Sequence, residues 1–600
     1  MKAAALLLIW ALPAWAAPDV AAVEAVRLAR LHRPVLRSVG ARKGQIPTYD
    51  ILSLNVSADF PGRTPPVMVT FSVRIEAEED IDEVEFAAPF FVAEQVLSED
   101  GPVEFIADEA EGTLTVFFGR TLTARAEAEI VIDATLTLPC GVDAGPGCVN
   151  EGGLLHILAD GWYPMNRRAP LADRFSYALD MRAPEPLVPS GTGERLSIGP
   201  RWQTASGIDA STLGLAVGAY TFIDRPGPIE AFAPPDVTAA DAEQLAQMAE
   251  QAMHVYADLF GPYPFDRLAL TAISDRAGVA LGPQANLLLP VGLWPTTPPG
   301  SAQNAANRMV VHHEVGHQYF FNLLAIANPG DTWLSEGFAE YASTRASEVV
   351  TGTRDHARLN YWHYVLAATP TDDFAIDTPS SPQQPLAREV LYFKGSALLW
   401  QLHDRYGREA FDAALRAYVE QFSGRIVTTD LLETSLAASL GPEVTDFFDQ
   451  WVHLAGFPTL TVSVRRANES RRDLTVGIAQ SPARRRPWSG PLPVVIHAPD
   501  GTTRPAALEA SADVQALRVE DGQWIEIDPE LTWFRRIRPE PAGDVNLDGV
   551  VDGLDLLDVH AALGREPPDP AWDDRVDVND DGRIDGADVD RLLQQFGQAN

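Results

Sequence analysis

Two cysteines in 600 residues exclude a disulfide-stapled scaffold and a thiolate zinc cluster. Both lie in one Gly- and Pro-rich stretch, Cys140-Gly-Val-Asp-Ala-Gly-Pro-Gly-Cys148. A single disulfide closing this small loop is expected, and a pair of free thiols is the alternative. Lysine is nearly as scarce: Lys2, Lys43 and Lys394 are the only three, so arginine supplies the rest of the 46 basic residues. Against 83 acidic residues the formal net charge is −37. That is the wrong sign for a general nucleic-acid or anionic-membrane binder, since both need a basic surface. Long apolar runs are missing too. Crossing a bilayer takes about 20 apolar residues, and no stretch after the N-terminus comes close, so no membrane span is expected. What remains is 46% hydrophobic, enough for a substantial core and too much for global disorder. The 44 Gly and 47 Pro point to a loop-rich, partly β architecture.

The N-terminus reads Met-Lys followed by a short apolar run and a small-x-small site, Ala14-Trp15-Ala16. This is the pattern of a signal peptide over residues 1–16, and it predicts an exported, extracellular protein. From 17 to about 228, short segments such as VMVTFSVRIEA and AEIVIDATLTL alternate apolar and polar residues, which predicts one large β domain. The Pro-rich stretch RPGPIEAFAPPD marks a boundary. Helical periodicity takes over from Ala239, with strands LALTAIS and ANLLLP between helices, in a mixed α/β region over 229–458. Strands return over 459–540 as a compact β-sandwich, and an acidic tail occupies 541–600.

His313-Glu314-Val315-Gly316-His317 fits H-E-x-x-H. On a helix, positions i and i+4 share a face, so two imidazoles can hold one metal ion. Glu314 stands beside them, where it can take a proton from a water whose pKa the metal lowers. A catalytic zinc takes three protein ligands and keeps one position open. Glu336, within Trp333-Leu-Ser-Glu336-Gly-Phe-Ala, is the leading third ligand; Asp331 is a rival that local chemistry does not eliminate. Glu340, one turn on, is a candidate to support the ligands from behind.

With eighteen residues between His317 and Glu336, the arrangement resembles the gluzincin aminopeptidases, the aminopeptidase N-like zinc peptidases. The resemblance extends to Tyr392-Phe393-Lys394-Gly395, the family's Y-x-K-G segment. It implies that Tyr392 donates a hydrogen bond to the oxyanion, where charge develops during attack. It also implies an N-terminal β saddle, a thermolysin-like catalytic domain and a small β-sandwich. Gly161-Trp162-Tyr163-Pro164 and the entry to the third domain, WVHLAGFPTLT, are similar to family segments. No segment among these 600 residues is expected to match the long helical C-terminal domain of many relatives.

One departure bears on specificity. The family's G-x-M-E-N strand binds substrate backbone, and its Glu holds the free α-amine. The best local match is Gly282-Pro283-Gln284-Ala285-Asn286, which places Ala285 where the Glu belongs. An alanine cannot pair with an ammonium group. On this register Gly282, Gln284, Ala285 and Asn286 are the candidate substrate-binding residues, with Gln284 offering an amide to peptide backbone. Asp275 is a candidate replacement carboxylate.

The tail contains two near-repeats. Asp544, Asn546, Asp548, Asp552 and Asp555 place oxygens at loop positions 1, 3, 5, 9 and 12, with the Val550 carbonyl at 7. Asp577, Asn579, Asp581, Arg583, Asp585 and Asp588 repeat the pattern. Such spacing wraps a hard cation such as calcium, and a glycine at position 6 makes the turn. Each loop runs into a short helix. The pair resembles a type I dockerin, which implies two structural calcium ions and a cohesin-bearing scaffold protein as partner. The leading expectation is therefore an exported, one-zinc metallopeptidase acting on peptides or proteins, with a calcium-stabilised C-terminal module. A true aminopeptidase with a substitute carboxylate is one alternative. A non-catalytic scaffold-binding protein is another.

Overall fold

The computed structural model describes residues 48–598 except 63–66, 138–147, 159–160, 168–172, 197–199, 327, 369–371, 380–383, 469–470, 480–487, 499, 511–513, 521–523, 567–568, 570 and 580. The expected signal peptide and Cys140, one half of the expected disulfide, lie outside the described residues. The chain divides into two compact units. The first comprises residues up to Ala257, with Pro262–Asn328 and Phe422–Ile426; the second comprises Asp258–Gly261, Pro329–Gln421 and Val427–Asn600.

In the first unit the period-two segments are strands. Val67–Ala77 shows why: Val67, Val69, Phe71, Val73, Ile75 and Ala77 are buried, while the residues between them face outward or are half-buried. Successive side chains on a strand point to opposite faces, so one apolar face is enough to attach the strand to a core. This strand pairs antiparallel with Tyr49–Asp59 (Val56 opposite Phe71) and with Glu127–Leu136, inside an eight-stranded sheet. Two four-stranded sheets accompany it. Trp162 and Tyr163 are buried among them, and the Trp162 indole donates to the Leu213 carbonyl at 2.9 Å.

A further four-stranded sheet runs Thr221–Asp224, Ile229–Ala233, Leu268–Ile273, Asn286–Pro290, antiparallel in the first pair and parallel in the others. It joins strands from both sides of residue 228: residues 225–228 of the Pro-rich stretch are the turn of a hairpin, and Ile229–Ala233 within it is a strand. Helix α1, Ala239–Phe260, buries Ala242, Leu245, Ala246, Ala249, Ala252 and Tyr256, a stripe at helical spacing. It stops at Gly261, whose φ of 102° a side chain would resist. Helix α2 is Ala302–Gly316.

The second unit contains α3 (Trp333–Thr351), α4 (Asp355–Ala367), a π-helix over Glu389–Lys394, α5 (Gly395–Tyr406), α6 (Arg408–Phe422), α7 (Thr429–Leu440) and α8 (Glu443–Trp451). Two sheets follow, of four and three strands, spanning Thr459–Asn468 to Arg536–Pro539. Helices α9 (Gly553–Ala562) and α10 (Gly586–Leu593) close the chain. The architecture is thus multidomain, with N-terminal β-sheets, a central mixed α/β region and a C-terminal two-helix module. Among the described residues no helix is long and apolar enough to cross a membrane.

Candidate active site

Helix α2 starts at Ser301, whose hydroxyl accepts from Asn304 N at 3.1 Å, and buries Val310, Val311 and Val315. His313 and Glu314 lie buried in its last turn. The helix ends at Gly316, but His317 keeps helical angles (φ −63°, ψ −17°) and its N–H still reaches the His313 carbonyl at 3.2 Å. The i, i+4 relation therefore survives past the helix end, and the two rings lie 4.7 Å apart. His317 Nδ1 is 3.2 Å from the Phe320 carbonyl. A carbonyl only accepts, so Nδ1 carries the proton and Nε2 is left for a metal.

Glu336 sits in the first turn of α3. His313, His317 and Glu336 each offer one ligand atom, and these atoms all lie within 4.8 Å of one another. Tetrahedral zinc with bonds of about 2.0–2.2 Å sets its ligand atoms about 3.3–3.6 Å apart, inside that distance. Among the described residues this is the one group of three His, Cys, Asp or Glu that meets that limit. Asp331, the rival, is engaged elsewhere: its Oδ1 accepts from the backbone N and the hydroxyl of Thr429 at 2.8 and 2.9 Å, pinning the start of α7. Glu340 accepts from Asn360 Nδ2 at 3.0 Å.

The segment 282–286 is a tight turn leading into the edge strand Asn286–Pro290. Asn286 N donates to Pro283 O at 3.1 Å, and Ala285 has φ 55°. Gly282 lies against the metal helix: a Cβ there would fall 2.8 Å from the Glu314 carbonyl, 3.1 Å from Glu314 Oε2 and 3.2 Å from His317 Cβ. Two amides outside the H-E-x-x-H motif hold this turn to the helix end. Gln318 accepts from Ala285 N at 2.8 Å and donates to the carbonyls of Gly282 and Pro283. Asn322 donates to the carbonyls of Gly282 and His317, each at 2.8 Å. Their signal was present in the spacing: Glu314, Gln318 and Asn322 recur every four residues.

Gln284, the amide expected to face peptide backbone, already has partners within the fold. It is fully buried; its amide oxygen accepts from the Tyr177 hydroxyl and Ala205 N, and its nitrogen donates to the Ile208 carbonyl at 2.7 Å. Ala285 packs into an apolar cluster with Ala205 and Phe265. Asn286 accepts from Thr271 at 2.8 Å and donates to Ser190 and Gly191. Asp275 accepts from Gly292 N at 2.7 Å.

Tyr392 is half-buried in the π-helix, a geometry frequent at functional sites. The following residue, Phe393, stacks on His363 of α4 with centroids 4.7 Å apart. Lys394 is fully buried, its ammonium 5.2 Å from the Tyr364 ring centroid.

The two tail loops have the same internal hydrogen bonding. Asp544 accepts from Asp548 N and Gly549 N, each at 3.0 Å; Asp577 accepts from Asp581 N and Gly582 N at 3.0 and 2.7 Å. Asp555 and Asp588 each close a capping box at the start of α9 and α10. Burial, then the neighbouring carboxylates Asp555 and Asp548, push the Asp544 carboxyl up to about 8. Burial also raises Asp555 and Asp577 to about 6. Burial and like charge disfavour the ionised form of each of these acids.

Residues 246–451 match the Peptidase family M1 domain, and residues 542–597 match the Dockerin type I domain. Rabbit (Oryctolagus cuniculus) aminopeptidase N is 30% identical over 175 residues, 26% of this chain and 18% of that protein. Mouse (Mus musculus) endoplasmic reticulum aminopeptidase 1 is 25% identical over 358 residues, 52% of this chain and 37% of that protein. The chain spans between 18% and 37% of the length of the curated relatives it matches. A crystal structure of an M1 zinc metallopeptidase from Deinococcus radiodurans has a similar fold: TM-score 0.57 at 20% identity, covering 69% of this chain and 95% of that one. A two-domain M1 zinc metallopeptidase bound to L-tryptophan gives a TM-score of 0.58 at 20% identity, with 69% and 96% covered. A zinc-binding triad thus lies in a region with the M1 peptidase fold, which supports a zinc-dependent peptidase active site. The chain thus joins a region similar to the Peptidase family M1 domain to a C-terminal region similar to the Dockerin type I domain.

Proposed function

We propose that this chain is an exported zinc peptidase that hydrolyses peptide bonds without requiring a free N-terminal amine. The triad His313, His317 and Glu336 with Glu314 buried beside it is the observation that carries hydrolysis. Zinc held by the triad would supply Lewis acidity and an acidified water. Glu314 takes the proton of the attacking water and returns it to the leaving amine. The Tyr392 phenol donates to the oxygen that becomes negative. Gly282 leaves the space that Glu314 occupies, and the Gln318 and Asn322 amides keep that turn in place.

The relaxed requirement at the N-terminus rests on Ala285 and Asp275. The Ala285 methyl is committed to an apolar cluster, and Asp275 accepts a backbone hydrogen bond. Ala285 offers no carboxylate to an ammonium group, and one oxygen of Asp275 is taken by Gly292 N. Zinc-loaded protein is expected to cleave a peptide and its N-acetylated form at comparable rates, and to lose both activities on chelation. Cleavage restricted to the free amine would favour the aminopeptidase alternative. Retained activity after chelation would overturn metal catalysis.

The wider reading follows the same resemblance. The N-terminal sheets are taken as the saddle (17–228), the central region as thermolysin-like (229–458) and the two later sheets as a β-sandwich (459–540). Residues 1–16 direct export. The tail (541–600) holds two calcium ions and meets a cohesin-bearing scaffold. Leu554, Leu557, Leu593 and Phe596 support a docking role, since these large apolar side chains are exposed on or beside its helices.

A further inference from the structure

The C-terminal module is joined to the sheet before it almost without a linker. Only residues 540–543 separate the strand Arg536–Pro539 from Asp544, and they are themselves bonded: Glu540 N donates to Val462 O at 2.7 Å, and Gly543 N to Gln595 Oε1 at 2.8 Å. Residues 571–576, between the two repeats, make the contacts. Trp572 is buried, edge-on to Trp362 of α4, with ring centroids 5.0 Å apart. Asp574 Oδ2 accepts from Ile537 N at 2.6 Å, and its Oδ1 lies 3.6 Å from Arg535 Nη1. Arg535 is itself buried, 3.5 Å from Asp528 and with its guanidinium over the Trp362 ring. Beside them the Tyr361 hydroxyl donates to Trp533 O at 2.8 Å and accepts from Arg535 N at 3.1 Å.

Helix α4 therefore has two faces with different tasks. Trp362 and Tyr361 meet the module and the strand leading to it. Asn360 bonds Glu340, and His363 stacks on the residue next to Tyr392. We propose that the C-terminal module is an integral support of the peptidase's helical layer, and that calcium loading of its loops rigidifies α4 through Trp572 and Asp574. This rests on the calcium reading above and goes beyond it. The second loop begins at Asp577, three residues after Asp574, so a cation that orders the loop also fixes the strap before it. Separating that strap from Arg535 strands a buried guanidinium without one of its carboxylates, which is strongly unfavourable. The seam should open only as a cooperative unit.

The test uses the full zinc-loaded chain purified without added calcium. Calorimetry reports whether CaCl2 binds, and hydrogen exchange reports where amides are protected. Calcium is expected to slow exchange in the module and, by roughly tenfold or more, across 355–367, since a ligand that binds only the closed form depopulates the open one. In Trp572→Ala and Asp574→Asn, calcium should still bind while the gain over 355–367 disappears; Trp572→Phe should keep it. Calcium binding with protection confined to the module of the wild-type chain would overturn the inference. Absence of both binding heat and module protection would instead overturn the calcium reading. The seam is then decided by Trp572→Ala alone: faster exchange over 355–367 sustains the support role, and an unchanged rate rejects it.

Discussion

Gly337 and Gly395 meet backbone to backbone: a Cβ at Gly337 would lie 2.9 Å from the Gly395 Cα, and one at Gly395 would lie 2.8 Å from the Gly337 Cα. Neither has a positive φ, so the need for glycine here is space and not backbone freedom. The contact places α3, one residue past Glu336, directly on the junction of the π-helix and α5, three residues past Tyr392. A zinc ligand and the proposed oxyanion donor thus share one close helix crossing.

Gly395→Ala should force that crossing apart. Overpacking of this kind costs about 1–3 kcal/mol, and a displacement near 1 Å at a reacting group can cost about a hundredfold in rate. The variant is expected to keep its zinc by metal analysis, melt at lower temperature and lose roughly ten- to a hundredfold in kcat. Unchanged kcat would show that the crossing does not set the position of Tyr392.

Glu314→Gln keeps the shape of the side chain and removes the base. A positioned general base contributes about 10²–10⁴-fold, so kcat should fall by at least about a hundredfold with zinc content and melting temperature unchanged. Near wild-type turnover in a steady-state assay would assign the proton transfer to another group.

Glu336→Gln and Asp331→Ala should separate cleanly. The first weakens zinc binding, measured as metal content after dialysis against a mild chelator. The second leaves zinc in place but removes two hydrogen bonds from Thr429, at a cost of about 1–3 kcal/mol for the buried groups left unpaired. Zinc loss in Asp331→Ala would reopen the choice of third ligand.

His453 makes stability depend on pH. Its Nδ1 lies 2.7 Å from Asp377 and its Nε2 3.3 Å from Glu433. The hydrogen bond to Asp377, with that to Glu433 and against partial burial, raises the imidazole to about 9. The unfolded chain titrates near 6.5. Below that pH the ring is protonated in both states and the stabilisation is complete. It drains away as pH climbs from about 6.5 to about 9 and is absent above. Roughly 1–3 kcal/mol is at stake for this partly exposed group. Urea unfolding at pH 6 and pH 9.5 should show the loss, and His453→Gln should flatten it. A variant with the wild-type pH slope would remove His453 from the account.

The parts legible in the sequence are those whose partners lie a few residues away. His313 and His317 belong together because a helix returns to the same face every four residues, and the tail loops declare themselves because each set of oxygens spans twelve consecutive positions. Alternation along 67–77 disclosed a strand for the same reason. Tertiary structure decided what depends on distant partners. Asp331 is bonded to Thr429, ninety-eight residues on, and Gln284 is buried against Tyr177, Ala205 and Ile208. The hairpin joining Thr221–Asp224 to Ile229–Ala233 crosses the Pro-rich stretch that reads as a boundary. Trp572 and Asp574 look like tail residues until Trp362 and Arg535 are placed against them. Local periodicity records which face of an element is apolar. Which buried donor satisfies which acceptor is settled only when the elements pack, because that choice is made by burial and no spacing along the chain encodes it.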